Sequence, residues 1–339
     1  MAPTDPTLSA MGARLIVMAL AARGASPPEL CAKVGTSPEV LADVDGRVGV
    51  RAMIALWIEA ERLTGDADFG VHLAEQAVAA SPALPWYLLV ASASLGEGLA
   101  RIVALWRLFN DVHPPVLDVT ADRSTLGMKT RGTPWPAPRH ATEFAFAWFV
   151  GAARRATGVD VKPAEVAFEH DAPADPREVL RVFGCPVRFG AEAAALTFTA
   201  ESLRLPTIAR DPELADLLHR QAHAMLEKLP PSPGAPFSAR VREVMTELLP
   251  SGDATIDRVA AELGTSARSV QRRLHEEGAT FQALLDDLRR DLALTYLADR
   301  TCSLAEIALI LGFSDQSAFH RAFVRWTGKT PGDVRRASR

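Results

Sequence analysis

The sequence predicts a two-domain chain. The first domain is mainly α with a small antiparallel sheet (α+β); the second is all-α, with two helix-turn-helix units joined by a long helix. Three observations predict this. The chain has 339 residues and is 48% hydrophobic, enough for two cores, and its 6% aromatic content with abundant alanine favours helix. One short pattern occurs twice, as Val259-Ala260-Ala261-Glu262-Leu263-Gly264-Thr265-Ser266 and as Ile307-Ala308-Leu309-Ile310-Leu311-Gly312-Phe313-Ser314, displaced by 48 positions throughout. Finally, Pro230-Pro231-Ser232-Pro233-Gly234-Ala235-Pro236 has four prolines in seven residues, which cannot be helical and reads as a semi-rigid linker. The boundaries that follow are a first domain over 1–229, a linker over 230–236 and a second domain over 237–339.

From the start, residues 8 to 80 read as short helices. Ser26-Pro27-Pro28 and Thr36-Ser37-Pro38 are breaks that can each start a helix with proline in its first turn. Leu30, Val34, Val40, Leu41 and Val44 are the apolar positions that follow. Pro27 to Val44 has the outline of another helix-turn-helix, but its second helix is neither basic nor amide-rich, so it reads as packing. Arg51 to Thr64 is amphipathic, with Ile54, Trp57, Ile58 and Glu61; after the turn Thr64-Gly65-Asp66 a helix runs from Phe69 to Ala79. Leu88 to Asn110 reads as two helices around Gly96 and Gly98. Val116–Val119 and Thr125–Thr130 alternate as strands joined at Asp122-Arg123, and Val166–His170 and Leu196–Thr199 add two more. Arg139 to Thr157, with Phe144, Phe146, Trp148, Phe149 and Val150, is apolar around most of its circumference and predicts a buried central helix. Asp211 to Leu229 is a further helix, with Leu214, Leu218, Met225 and Leu229 as one stripe that packs internally or meets its copy in a dimer.

The repeated pattern has the layout of a helix-turn-helix. Thr255 caps a helix that Gly264 ends, since glycine tolerates the left-handed conformation of a helix stop, and Ser266 caps the next helix. In the second copy, Ser303 and Glu306 form a capping box, Gly312 stops the helix, and Ser314 is placed to cap a helix running through Trp326. In the first unit Val270 and Leu274 point inward, while Arg268, Gln271, Arg272 and His275 line the other side, with Ser269 beside them. In the second, Phe319, Phe323 and Trp326 form the buried stripe, and Gln316, Ser317, His320 and Arg321 lie opposite. Arginine reads guanine and glutamine reads adenine by paired hydrogen bonds in the major groove, so two such faces point to duplex DNA. Between the units, Phe281 to Ala298 is amphipathic through Leu284, Leu285, Leu288, Leu292 and Leu297, with Arg289 and Arg290 placed outside. At 1.5 Å per residue it spans about 27 Å, close to one DNA turn.

These residues resemble the DNA-binding domain of AraC/XylS-type transcriptional regulators. The resemblance covers about 237 to 338 and rests on Val259-Ala260, Leu263-Gly264, Ser266, Gln271-Arg272-Arg273-Leu274, Ile307-Ala308, Gly312-Phe313, Phe319, Phe323, Gly328 and Pro331. It implies base-reading positions at Arg268, Gln271 and Arg272, and at Gln316, Ser317 and Arg321. Ser317 departs from the longer polar side chain common there, which implies a less specific second unit. More diffusely, the first domain resembles the arabinose-binding-like effector domain of one branch of that family. The matching stretches are Gly65-Asp66-Ala67-Asp68-Phe69-Gly70, Ser94-Leu95-Gly96-Glu97, Glu165-Val166-Ala167-Phe168 and Phe183-Gly184-Cys185-Pro186-Val187-Arg188-Phe189. The resemblance implies a sensing and dimerising module and does not establish arabinose as its ligand.

Charge and motif content narrow the function. The formal charge is −4, with 15 Lys+Arg against 14 Asp+Glu from Phe237 onward and 22 against 27 before it. Positive residues must therefore be concentrated on one face of the second domain, and DNA affinity should fall steeply with salt. Cys31, Cys185 and Cys302 are far apart and read as small apolar fillers in a reducing cytosol, with no structural zinc. The run Leu15–Ala22 is short and bracketed by Arg14 and Arg23, so neither a signal peptide nor a membrane span is expected. The sequence has no G-x-S-x-G, H-E-x-x-H or P-loop, so neither catalytic residues nor a metal or cofactor are expected. His140 and Glu143 at the entry to the central helix, with Trp86, Tyr87, Trp148 and Phe149, are the candidate effector residues. The expectation is a cytoplasmic, nucleoid-associated homodimeric regulator, an activator, working with promoter DNA, RNA polymerase and an unknown small-molecule effector. The alternative is a DNA-targeted enzyme or repair adaptor using the same DNA-binding domain.

Overall fold

The computed structural model describes residues 5–80, 83–120, 122–131, 133–229, 237–249, 252–298 and 303–337; the proline-rich stretch 230–236 and Cys302 lie outside the described residues. The chain forms two compact units, Met1–Pro233 and Gly234–Arg339.

The first unit opens with strand β1 (Thr7–Ser9), followed by α1 (Ala10–Ala21), α2 (Pro27–Val34), α3 (Pro38–Ala42), β2 (Arg47–Gly49) and α4 (Val50–Thr64). β1 and β2 pair antiparallel. Arg47 holds this pair to the distant segment at Leu108–Asp111, donating to Thr7 Oγ1 (2.7 Å), Leu108 O (3.1 Å) and Asp111 Oδ2 (2.8 Å). Pro27 and Pro38 sit in the first turns of α2 and α3, and Ser37 caps α3. Leu30, Cys31 and Leu41 turn inward onto a core built with Ile16, Leu20, Leu56 and Trp57, so this segment is packing. Val44, expected on the apolar side, is exposed, and so is Ile58.

Next come α5 (Phe69–Ala80), α6 (Leu84–Ala91), α7 (Leu95–Ala104) and a 3-10 turn at Trp106–Leu108. The chain breaks at Ser92–Ser94 rather than at Gly96 and Gly98, and Ser94 caps α7 by accepting from the Glu97 N–H. Gly98 serves a different purpose, a close helix crossing: a Cβ there would lie 2.9 Å from both Leu89 Cα and Leu89 O.

The rest of the unit is β3 (Val116–Val119), β4 (Arg123–Met128), α8 (Arg139–Thr157), β5 (Glu165–Ala167), α9 (Arg177–Phe183), β6 (Val187–Arg188), β7 (Ala194–Thr199), α10 (Ala200–Leu203) and α11 (Pro212–Glu227). The strands form one sheet in the order β3-β4-β7-β5-β6, antiparallel except for the parallel pair β5–β6. Arg123, expected in the turn, is already paired with Thr199. Leu126, Met128, Val166, Leu196 and Phe198 join Phe146, Phe149 and Val150 of α8 in the second core. On α11, Asp211 is the N-cap. The expected single stripe is divided: Leu218 and Leu229 pack on the core, whereas Leu214 and Met225, with Leu217, are exposed.

The second unit contains α12 (Phe237–Leu248), α13 (Ile256–Glu262), α14 (Ala267–Glu276), α15 (Phe281–Ala298), α16 (Leu304–Ile310), α17 (Gln316–Thr327) and α18 (Pro331–Ala337). Its core gathers Phe237, Val241 and Met245 of α12 with Val270 and Leu274 of α14, Leu285 and Leu288 of α15, and Phe319 and Phe323 of α17.

Two glycine-to-alanine changes should have opposite signs. Gly98→Ala must force the α6–α7 crossing apart and should destabilise the first unit by about 1–3 kcal/mol. Gly12→Ala, whose added Cβ would meet only Met53 Cε at 3.5 Å, should be neutral or stabilising. Urea unfolding followed by tryptophan fluorescence checks both, and equal midpoints would contradict this account.

Candidate nucleic-acid interface and ligand cavity

Each helix-turn-helix is built from local signals. Thr255 accepts from Arg258 N–H at the start of α13, Gly264 stops it at φ 62°, and Ser266 accepts from Ser269 N–H to start α14. In the second unit the Ser303–Glu306 capping box starts α16, and Gly312 adopts φ 69°. The cap of α17 is Asp315 rather than Ser314: Asp315 Oδ1 accepts from Ala318 N–H at 2.7 Å, and Ser314 donates to Asp315. The carboxylate is the stronger acceptor at a helix N-terminus, and its pKa is held below the usual carboxylate range chiefly by the Ala318 N–H.

This cap shifts the register between the copies. The first helices match at an offset of 48, but the second helices match at 49, cap to cap. At that offset buried Val270 and Leu274 correspond to buried Phe319 and Phe323, Gln271 corresponds to His320, and Arg272 corresponds to Arg321. Arg268, Gln271, Arg272 and His275 are exposed on α14, as are Gln316, Ser317, His320 and Arg321 on α17. Ser269 is half-buried and bonded to Ser266 Oγ at 3.0 Å, which makes it part of the cap. Arg272 pairs with Glu276 at 3.1 Å; Arg268 and Arg321 have no side-chain hydrogen bond or ion pair among the described residues.

Helix α15 positions both helix-turn-helix motifs. Leu285, Leu288, Ala293 and Leu297 are buried along it. Arg290 lies outside as expected, paired with Asp287 and Asp291, but Arg289 turns inward. Its guanidinium donates to Leu311 O (2.9 Å) and Gly312 O (3.2 Å) and sits 4.6 Å over the Phe313 ring. It therefore satisfies the carbonyls that α16 leaves free at its turn. The sequence carried a signal for this, because 289 lies four positions after Leu285, on the buried face. The first helix-turn-helix is tied differently: Glu277 accepts from the N–H groups of Phe237 and Ser238, and Arg273 sits 3.8 Å over the Phe237 ring. Burial opposes ionisation of Glu277, but those N–H groups hold its pKa below the usual range.

In the first unit, the candidate effector residues separate. Trp148 and Phe149 line an apolar cavity of about 170 Å³ between the two cores, with Leu15 of α1, Met53 and Trp57 of α4, and Trp106. Trp86, Tyr87, His140 and Glu143 do not line it. Trp86 lies under the Arg155 guanidinium, and Tyr87 is exposed. His140 and Glu143 belong to a buried polar cluster in which Arg139 donates to Glu143 (2.7 Å) and pairs with Asp68 (3.1 Å), and His170 lies 3.5 Å from Glu143. Burial pushes the His170 pKa down. This cluster fastens the start of α8 to the α4–α5 turn. The cavity's contributions from α1 and α4 were not visible in the sequence, which shows each helix's apolar face but not its neighbour. Among the described residues, no group of His, Cys, Asp and Glu could hold a metal ion, and no helix is long and apolar enough to cross a membrane.

Comparison with known proteins gives two family matches. Residues 24–207 match the arabinose-binding domain of AraC transcription regulators, and residues 239–337 match a helix-turn-helix domain. The ornithine utilization regulator of Pseudomonas aeruginosa is 32% identical over 88% of each chain. The regulator VirS of Mycobacterium tuberculosis is 30% identical over 66% of each chain. Among solved structures, the transcriptional regulator CdpR of Pseudomonas aeruginosa aligns over 95% of this chain and 97% of its own, at 21% identity and a TM-score of 0.42.

Two substitutions test the second unit. Phe323→Ala removes a fully buried ring and should cost about 3–5 kcal/mol. Arg289→Ala leaves two turn carbonyls short of a donor and should cost about 1–3 kcal/mol. Calorimetry should show the DNA-binding unit melting earlier in both variants, and an unchanged transition for either would contradict its assigned contact.

Proposed function

Because this chain belongs to the AraC family of transcription regulators, we propose that it reads promoter DNA through the exposed faces of α14 and α17 under control of a small molecule held in its first unit. The observation that carries the reading is the phase match of the two second helices. Both present an arginine, Arg272 and Arg321, at the same distance from the cap and opposite the buried pair. The chain is a transcription regulator, and its relatives carry names of regulators rather than enzymes. The DNA-targeted enzyme or repair adaptor has no support among them.

The base-reading set is Arg268, Gln271, Arg272 and His275 on α14, and Gln316, Ser317, His320 and Arg321 on α17. Ser269 supports the first set through the cap. The chain acts as an activator that contacts RNA polymerase, in the cytoplasm on the nucleoid. It works as a homodimer formed by the first unit, for which exposed Leu214, Leu217 and Met225 of α11 offer apolar surface. Dimerisation makes the second DNA-binding event intramolecular and raises avidity without new base contacts, with the reach set by the proline-rich stretch 230–236. The small molecule then acts by favouring one presentation of the DNA-binding units over another, which requires different affinity for the two.

Arg272→Ala should weaken binding to a selected operator by about 1–3 kcal/mol, the worth of one bidentate base contact, and weaken binding to random duplex less. Arg321→Ala should lose less specificity, because Ser317 beside it has a short reach. Titrations at several salt concentrations separate the roles: equal losses on operator and random DNA, with a shallower salt dependence, would make Arg272 a phosphate contact only.

A further inference from the structure

Resting on the reading of the first unit as the effector-binding part, we propose that the cavity between its two cores takes a neutral, largely apolar molecule of one or two rings with a hydrogen-bond acceptor. The structure thereby assigns this cavity to a class of ligand other than a sugar or a charged amino acid.

The cavity sits where the α1–α4 core meets the core built on α8. The space of about 170 Å³ is partly open and walled by Trp57, Trp106, Phe144, Trp148 and Phe149, the concave aromatic form of a small-molecule site. An apolar cavity of about 150 Å³ is known to stay dry and accept benzene, which sets the scale for one ring. A second pocket of about 70 Å³ adjoins it and shares Met53, Trp57, Trp106, Asn110 and Ala145, which gives room beyond one ring.

The walls decide the chemistry. Neither pocket is lined by Asp, Glu, Lys or Arg. The one titratable group is His113 in the smaller pocket, where Nε2 meets Trp135 O at 2.6 Å and burial favours the neutral ring. A dibasic amino acid would enter with uncompensated charges on both its ammonium and carboxylate groups. A sugar would bring a hydroxyl on nearly every carbon to walls of Trp, Phe, Met and Leu, leaving most unpaired.

Asn110 supplies orientation. Its Oδ1 accepts from Val112 N–H (2.7 Å) and His113 N–H (3.2 Å), which fixes the amide and leaves Nδ2 without a partner among the described residues. Ser9 adds a hydroxyl whose oxygen already accepts from Met11 N–H. Both residues line the larger cavity, so the groups it offers a ligand include two donors, the Asn110 amide N–H and the Ser9 hydroxyl. They match a carbonyl, ether or phenol oxygen on an otherwise apolar body.

Acetophenone, with one ring and one carbonyl, is the probe. Saturation-transfer NMR and tryptophan fluorescence titrations on the full chain compare it with L-arabinose and L-ornithine. Each is repeated on Ala145→Phe, which puts a ring into the space both pockets share. Circular dichroism and DNA binding check that the variant folds, and Ala141→Leu, lining the same two pockets, replaces it if it does not. The expected result is acetophenone binding that weakens at least tenfold in the filled variant, with no binding of either polar compound. Arabinose or ornithine binding that the filled variant abolishes would keep the cavity as the site and overturn the ligand class. Absence of binding by all three, or acetophenone binding that ignores the filled cavity, would overturn both the class and the site.

Discussion

Neither helix-turn-helix of the second unit can bury its apolar face alone. Helices α13 and α16 have seven residues each and α14 and α17 have ten and twelve, too few to enclose Val270, Leu274, Phe319 and Phe323. Both pairs must lean on α15, whose buried Leu285, Leu288, Ala293 and Leu297 complete one shared core. From this follow the outward direction of the polar faces of α14 and α17, their common phase and the inward turn of Arg289. The fixed spacing of α14 and α17 is thus a consequence of the hydrophobic core. An added residue before α17, with Asp315 as cap, keeps the phase despite the longer turn.

The first unit solves a different problem. It has two cores, one of α1–α4 and one of α8 with the sheet, and the aromatic side chains of α4 and α8 meet imperfectly between them. A molecule filling that gap would add contacts to both cores at once, stabilising one arrangement by mass action. The polar cluster of Arg139, Glu143, His140 and His170 lies away from the gap and holds the start of α8 in place. The unit therefore separates a polar fastening, which does not line the cavity, from an apolar opening.

Much of this was legible in the sequence where a pattern was long. The central helix Arg139–Thr157 and the connecting helix Phe281–Ala298 have the bounds their apolar residues predict, and the paired glycines mark both turns. Strands β1, β2 and β6 were not legible, since two or three residues carry no alternation and depend on partners such as Arg47. Gly96 and Gly98 read as breakers because a helix crossing leaves the same mark as a turn. Ser314 and Asp315 are both capping residues in adjacent positions, and only the geometry of the turn selects between them. The candidate effector residues do not gather into one place for a related reason: Trp86 and Tyr87 adjoin cavity-lining Pro85 in sequence, but Trp86 lies under Arg155 and Tyr87 is exposed.

The central claim is that one chain presents two recognition helices to successive major grooves. Its most direct test is guanine-methylation protection by the full-length protein on an operator selected from random duplexes. The account predicts, for each DNA-binding unit, two protected major-groove patches about 10 base pairs apart on one side of the helix. A single protected patch per unit, or protection confined to the minor groove, would contradict it.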